Sequence, residues 1–304
     1  KNVKAISQNT IDEYTSQYLN HIITKLGNID LRLLTDAVLN DFVSYLVNNT
    51  NLDNGTRRKI FNVLTNIVQH QVNPPQSKLA KNVCKDKDYM VSVQVVKSKK
   101  KPVIDFNTWS LDMVSNLVSD ISNTQVKLIC EIMLQTACRP SEARALNRNS
   151  FKFHLNIPTI LFDKAVKKGK VVGGTKTDSG VRTLTISTSL KDRIQDYINK
   201  LPVDQDYLFL NSRGKFICVE QLISHLDKAL AKNRVQLPIK RKSYFFRHYT
   251  ATYWAYTKKH KGNALDLARD LGDKDINFVN ENYIKPFKQN DNSVEDLDYQ
   301  NKHF

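Results

Sequence analysis

Apolar residues recur at helical spacing through the first 72 positions, and the pattern predicts a helical domain there. In "TIDEYTSQYLNHII", Ile11, Tyr14, Tyr18 and Ile22 share one helical stripe, with Thr10 and Glu13 at capping-box spacing. Val38, Leu39, Phe42, Val43 and Leu46 predict a second helix, with Thr35 as its cap. The turn "DNG" at 53–55 precedes a third, "RRKIFNVLTNIVQHQ", capped by Thr56, with Ile60, Leu64, Ile67 and Val68 facing inward.

Between 73 and 102 the rhythm fails. "NPPQSKLAKNVCKDKDYM" runs into "VKSKKKP", with prolines and scattered lysines but no apolar stripe, which predicts a basic interdomain linker. From 103 to 285 the pattern is mixed: helices are predicted at 107–122, 124–137, 140–147, 188–200, 219–233, 244–259, 263–271 and 276–283. Strands are predicted where side chains alternate, in "FKFHL", "TILF" and "RTLTIS". The expected architecture is mainly α with a small antiparallel β-sheet, in two domains followed by an acidic tail at 286–304. In that tail Val294 and Leu297 suit a short amphipathic contact, a frayed terminus being the alternative.

Composition adds a partner class. The 304 residues, 40% of them hydrophobic, suffice for one large or two medium cores, and the net charge of +16 favours a polyanion, nucleic acid first. Cys84, Cys130, Cys138 and Cys218 contain no C-x-x-C pair, so they read as reduced, mostly buried thiols of a cytoplasmic protein. No apolar run approaches a bilayer span and no secretion signal opens the chain, which begins at Lys1 as a fragment or trimmed product would.

Several basic residues are placed for chemistry. Arg57, Arg58 and Lys59 crowd the first turn of the third helix, where each cation opposes the macrodipole by about a few tenths of a kcal/mol; an anionic partner relieves this, and a solvated face is the alternative. Lys97, Lys99, Lys100 and Lys101 in the linker suit a strand that tracks a phosphate backbone, keeping the linker extended being the alternative, and Lys240, Arg241 and Lys242 ahead of "SYFFRHYTATYWAY" are further candidate DNA contacts. In "LQTACRPSEARALN", Pro140 takes a first helical position, so Arg139 stands at a helix N-terminus, with Glu142 in reach to orient it. "VKKGKVVGGTKTDSGVRTLTIS" reads as a long basic hairpin connection whose Lys176 either enters a groove or lies on a surface loop.

The order Arg139, Lys176, Arg247, Tyr283, carried by "TACRPSEARAL", "TKTDSGVRTLTI", "FRHYTATYWA" and the "LG" before the tyrosine, resembles the tyrosine recombinases, or phage integrase family. The resemblance covers nearly the whole chain and implies a helical core-binding domain over 1–72 and a catalytic domain over 103–285. It implies that Tyr283 attacks a DNA phosphodiester, that Arg139 and Arg247 clamp its non-bridging oxygens, and that Lys176 protonates the leaving 5′-hydroxyl. It further implies double-stranded DNA as partner, a homo-tetramer, DNA-bending or directionality factors, and neither metal nor nucleotide cofactor. Arg247 then emerges from a core of aromatic packing residues, Tyr249, Tyr253 and Trp254 among them, and His248 is structural.

Two positions depart from the family pattern. Tyr244 stands three residues before the second arginine, where histidine is usual, and Asp273 follows "LG", where histidine or tryptophan is usual. Because an ionised carboxylate repels phosphate, Asp273 is expected to be protonated or to face outward. Tyr299 is a weaker candidate nucleophile, lacking the "LG" context. A relative that binds DNA without cutting it, and a nicking-and-closing topoisomerase, remain alternative readings.

Overall fold

The computed structural model describes residues 8–73, 78–85, 89, 104–153, 157–173, 180–256 and 263–284, and the chain divides into two compact units, Lys1–Lys100 and Lys101–Phe304.

In the first unit, α1 (Gln8–Gln17) runs through a π-turn at Tyr18–Ile22 into α2 (Ile23–Leu26), followed by α3 (Asp36–Asn48) and α4 (Asn54–Val72). The second helical prediction holds: Thr35 caps α3 by accepting from the Val38 amide, and Leu39, Phe42, Val43 and Leu46 are buried. They pack against Ile60, Phe61, Leu64 and Val68 of α4. Two caps differ from expectation. Thr10 and Glu13 lie inside α1, and Ile11, Tyr14 and Tyr18 are exposed, so only Ile22 of that stripe is buried. Helix α4 starts at Asn54 because the Asp53 carboxylate accepts from the Thr56 amide at 3.0 Å and the Thr56 hydroxyl at 3.0 Å; Asp53, not Thr56, is the cap.

The second unit is built on α5 (Leu111–Ser119), α6 (Thr124–Thr136), a single turn α7 (Pro140–Ala143), α8 (Thr188–Asn199), α9 (Val219–Lys232), α10 (Phe245–Tyr256), α11 (Ala264–Leu271) and the short α12 (Ile276–Val279). The helix predicted from 107 begins only at 111, because the Asp105 carboxylate holds Asn107 and Thr108 in a turn and Ser110 supplies the cap. The run 140–147 is one turn long, since Asn147 leaves it to bridge Tyr207.

Three strands form an antiparallel sheet in the order β1 (Phe151–Lys152), β2 (Thr159–Phe162), β5 (Arg182–Thr185). Between β2 and β5, a separate hairpin pairs β3 (Lys164–Lys167) with β4 (Lys170–Gly173). Its two-residue turn has Lys168 at φ 47° and Gly169 at φ 74°, the left-handed pair that matches strand twist. The first part of the stretch read as a long basic hairpin connection is thus an ordered hairpin.

The core gathers around α10. Phe245, Phe246, Tyr249, Tyr253 and Trp254 are buried; Trp109 stands 4.9 Å edge-on to Phe245, and Phe106 is 5.4 Å from Tyr249. Thr250 donates to the Leu134 carbonyl at 2.7 Å, tying α10 to α6. Such close packing leaves the one arginine of this helix little freedom of direction.

Candidate active site

Helix α6 ends at Ala137, whose left-handed φ of 50° turns the chain sharply. A non-glycine residue holds that conformation at a cost of about 1 kcal/mol. The turn aims the Ala137 carbonyl at Arg247 and delivers Cys138 and Arg139 next to it. The Arg247 side chain is 3% exposed, and its Nη1 donates to Ala137 O at 2.7 Å.

The opposite wall is the end of α11. Gly272, at φ +62°, reverses the chain, so three consecutive residues face the two arginines. Leu271 O accepts from Arg247 Nη2 at 3.1 Å, Gly272 O accepts from Arg139 Nη2 at 3.1 Å, and the Asp273 carboxylate takes both guanidiniums. Asp273 Oδ2 accepts from Arg247 Nη2 at 2.7 Å, and Oδ1 accepts from Arg139 Nη2. Of the two alternatives expected for Asp273, protonated or facing outward, the second is corrected: its side chain is 17% exposed and points between the arginines. Charge attraction to two cations outweighs the loss of hydration.

Glu142 stands behind Arg139. Its Oε1 accepts from Arg139 Nη1 at 2.7 Å and its Oε2 from the Arg139 backbone amide at 2.8 Å, the orienting contacts expected of it. Arg182 Nη2 also donates to Oε2, at 2.8 Å. Burial pushes the Glu142 carboxyl up, but Arg182, then Arg139 and Arg247, outweigh it and hold it at about 2. Burial likewise works against the charge of Arg139, whose side chain is 27% exposed; Glu142 and Asp273 more than offset this and raise it above the ordinary guanidinium range.

Tyr283 lies in a π-turn, Asn280–Ile284, and is 3% exposed. Tyr256 pins the turn by donating its hydroxyl to Tyr283 O at 3.1 Å and to Ile284 O. The phenol ring packs 5.4 Å from His248 and 6.4 Å from Phe278. Burial raises its pKa; Arg247, through charge and a hydrogen bond, pulls the other way. His248 is driven down to about 4, first by burial and then by Arg247 and Arg241, so it is neutral at pH 7 and serves as packing.

Arg139, Glu142, Arg247, Asp273 and Tyr283 thus converge in one place. Tyr244 is half-buried, with the Arg241 guanidinium 5.3 Å over its ring. Lys240 is exposed, and Lys242 pairs with Asp227 at 2.6 Å. Lys176, Lys97, Lys99, Lys100, Lys101 and Tyr299 lie outside the described residues. In the first unit Arg58 is exposed and Lys59 pairs with Glu13 at 2.7 Å. Arg57 corrects its reading as a DNA contact: it is buried, and its Nη2 donates to Val47 O at 3.1 Å and Thr50 O at 3.2 Å, closing the end of α3. The residue missed was Arg182, although alternation with buried Leu184 and Ile186 marks it as inward-facing.

This arrangement of helices around a small antiparallel sheet is the fold of the tyrosine recombinases. The Tn1549 transposon integrase in complex with transposon right-end DNA matches with a TM-score of 0.71 at 16% identity, over 92% of this chain and 90% of that one. The XerH site-specific recombinase bound to its difH substrate matches at 0.65 and 15% identity, over 92% and 79% of the two chains. A lambda integrase dimer bound to a core site matches at 0.66 and 12% identity, over 96% and 76%. No protein-family model matches the sequence, and no curated protein does.

Proposed function

We propose that this chain is a site-specific DNA recombinase, the integrase of a phage or another mobile element. The observation that carries the reading is the convergence of a buried phenol, Tyr283, on two guanidiniums, Arg247 and Arg139, held by helix ends and carboxylates. Rigid cations beside a nucleophile are what phosphoryl transfer needs, because its barrier falls mainly through positioning and charge stabilisation. The DNA-bound state of the integrases and recombinases sharing this fold supports double-stranded DNA as the substrate.

In this reading the Tyr283 oxygen attacks a DNA phosphorus and the bond to the 5′-oxygen breaks, leaving a 3′-phosphotyrosyl link. Arg139 and Arg247 bind the non-bridging oxygens, the phenol proton is given up to water, and Lys176 protonates the departing 5′-oxygen, which leaves as a hydroxyl. A 5′-hydroxyl of a second strand reverses the step, so exchange proceeds through a Holliday junction without ATP. A homo-tetramer on two duplexes, aided by bending or directionality factors, performs it in the nucleoid of a bacterial or archaeal host. Arg58, Lys59, Lys97, Lys99, Lys100, Lys101, Lys240, Arg241 and Lys242 supply backbone contacts. The occupation of both arginines by Asp273 favours a second reading, a relative that binds DNA without cutting it.

Covalent capture separates the two. The protein is incubated with duplexes tiling its source element's ends, quenched in detergent, and compared with Tyr283→Phe. A protease-sensitive adduct absent from the variant supports the recombinase; salt-sensitive binding without any adduct supports the second reading.

A further inference from the structure

Arg182 opens β5 with its side chain 5% exposed, and it touches two parts of the arginine site without entering it. Its Nη2 donates to Glu142 Oε2 at 2.8 Å, and Nη1 donates to Gly180 O at 3.2 Å. The guanidinium lies 5.0 Å over the Phe162 ring, and a Cβ on Gly272 would fall 2.8 Å from Nη1. Arg182 therefore supports the carboxylate that holds Arg139 and also the turn that presents Gly272 O and Asp273.

The charges alternate along this line: Arg182, Glu142, Arg139, Asp273, Arg247. Arg182 ends the line, and Glu142 is the carboxylate it shares with Arg139. Glu142 divides its oxygens between Arg182 and Arg139, so its direction is set from both sides.

We propose that Arg182 is a positioning residue for the Arg139–Arg247 pair, engaging Glu142 from behind and seating the Gly272 turn, so that Arg139 stays oriented and cationic toward a phosphate. The inference rests on the reading of that pair as a phosphate clamp. Methionine at 182 keeps the bulk under Gly272 but removes the charge. Lysine keeps the charge and loses the fork that reaches Glu142 and Gly180 together. Among the groups facing Glu142, namely Arg182, Arg139, Arg247 and the Cys138 thiol, Arg182 is the strongest force keeping it ionised.

The test follows the Glu142 side-chain carboxyl by carbon NMR against pH, with the resonance assigned through Glu142→Gln, in the wild type, R182K and R182M. The Glu142 pKa is expected to rise in the order wild type, R182K, R182M; identical titrations would overturn the proposal. In parallel, single-turnover adduct formation is measured on the duplex that gives the adduct. R182M should lose about tenfold or more below the raised Glu142 pKa that the titration gives and regain part of it above, where Glu142 is ionised, with R182K in between. A loss that is the same at every pH and equal in both variants marks a merely structural role and overturns the proposal. If no duplex yields an adduct with the wild type, the recombinase reading fails while the titration still decides the role of Arg182. If R182M does not fold, R182K decides: a Glu142 titration matching the wild type overturns the proposal.

Discussion

Arg57 in the N-terminal unit and Arg247 in the larger one begin alike. Each is buried on a helix and donates to carbonyls where other helices end, Val47 and Thr50 for the first, Ala137 and Leu271 for the second. They differ in what remains. Arg57 ends at its carbonyls, with Nε buried and unpartnered, whereas Arg247 also meets the Asp273 carboxylate and the Tyr283 phenol. A buried arginine at a helix end is a packing device; a reactive site needs further groups converging on the same guanidinium.

The sharpest way to break that contrast is to replace each arginine. Arg247→Lys is expected to slow single-turnover adduct formation by about 10² to 10³, with DNA affinity in gel shifts little changed. Arg57→Met should cost about 1 to 3 kcal/mol in urea unfolding, because two carbonyls lose their donor, and leave the adduct rate per folded molecule intact. If Arg57→Met slowed chemistry in a stable protein, the contrast would collapse. Asp273→His removes the anion between Arg247 and Arg139 and should maintain the adduct rate or raise it about threefold; a fall would mean the carboxylate serves the reaction. The smallest effect concerns acid. Glu142, depressed from 4.5 to about 2, contributes stability in full above its unfolded value and loses it as pH falls through about 2. The stability gap between the wild type and Glu142→Gln should therefore be flat above about pH 4.5 and close below it, as measured by urea midpoints.

Much of the site was legible because its residues sit in short stretches with distinctive neighbours. Arg139 and Glu142, three residues apart, find each other within one turn, and the aromatic run around Arg247 announces burial. The orientation of Asp273 was not legible, since it depends on Arg139 lying 134 residues away and on a left-handed Gly272 that local pattern does not reveal. Arg182 was overlooked for a simpler reason. The glycines and lysines before it suggest a loop, while its alternation with Leu184 and Ile186 already placed it on the buried face. Helix starts were misplaced where a nearby side chain made a better cap, as Asp53 does ahead of Thr56.

Cys138 sits directly under the arginines, fully buried, and burial raises its thiol to about 12, with Glu142 adding to the effect. Cys84 and Cys130 are buried too, and Cys218 is the partly accessible one. An alkylating reagent should modify Cys218 first and reach Cys138 only when the floor of the site opens. The chain thus carries its own stopwatch for breathing of the arginine cluster, with an internal reference, and both can be read by mass spectrometry without adding a label.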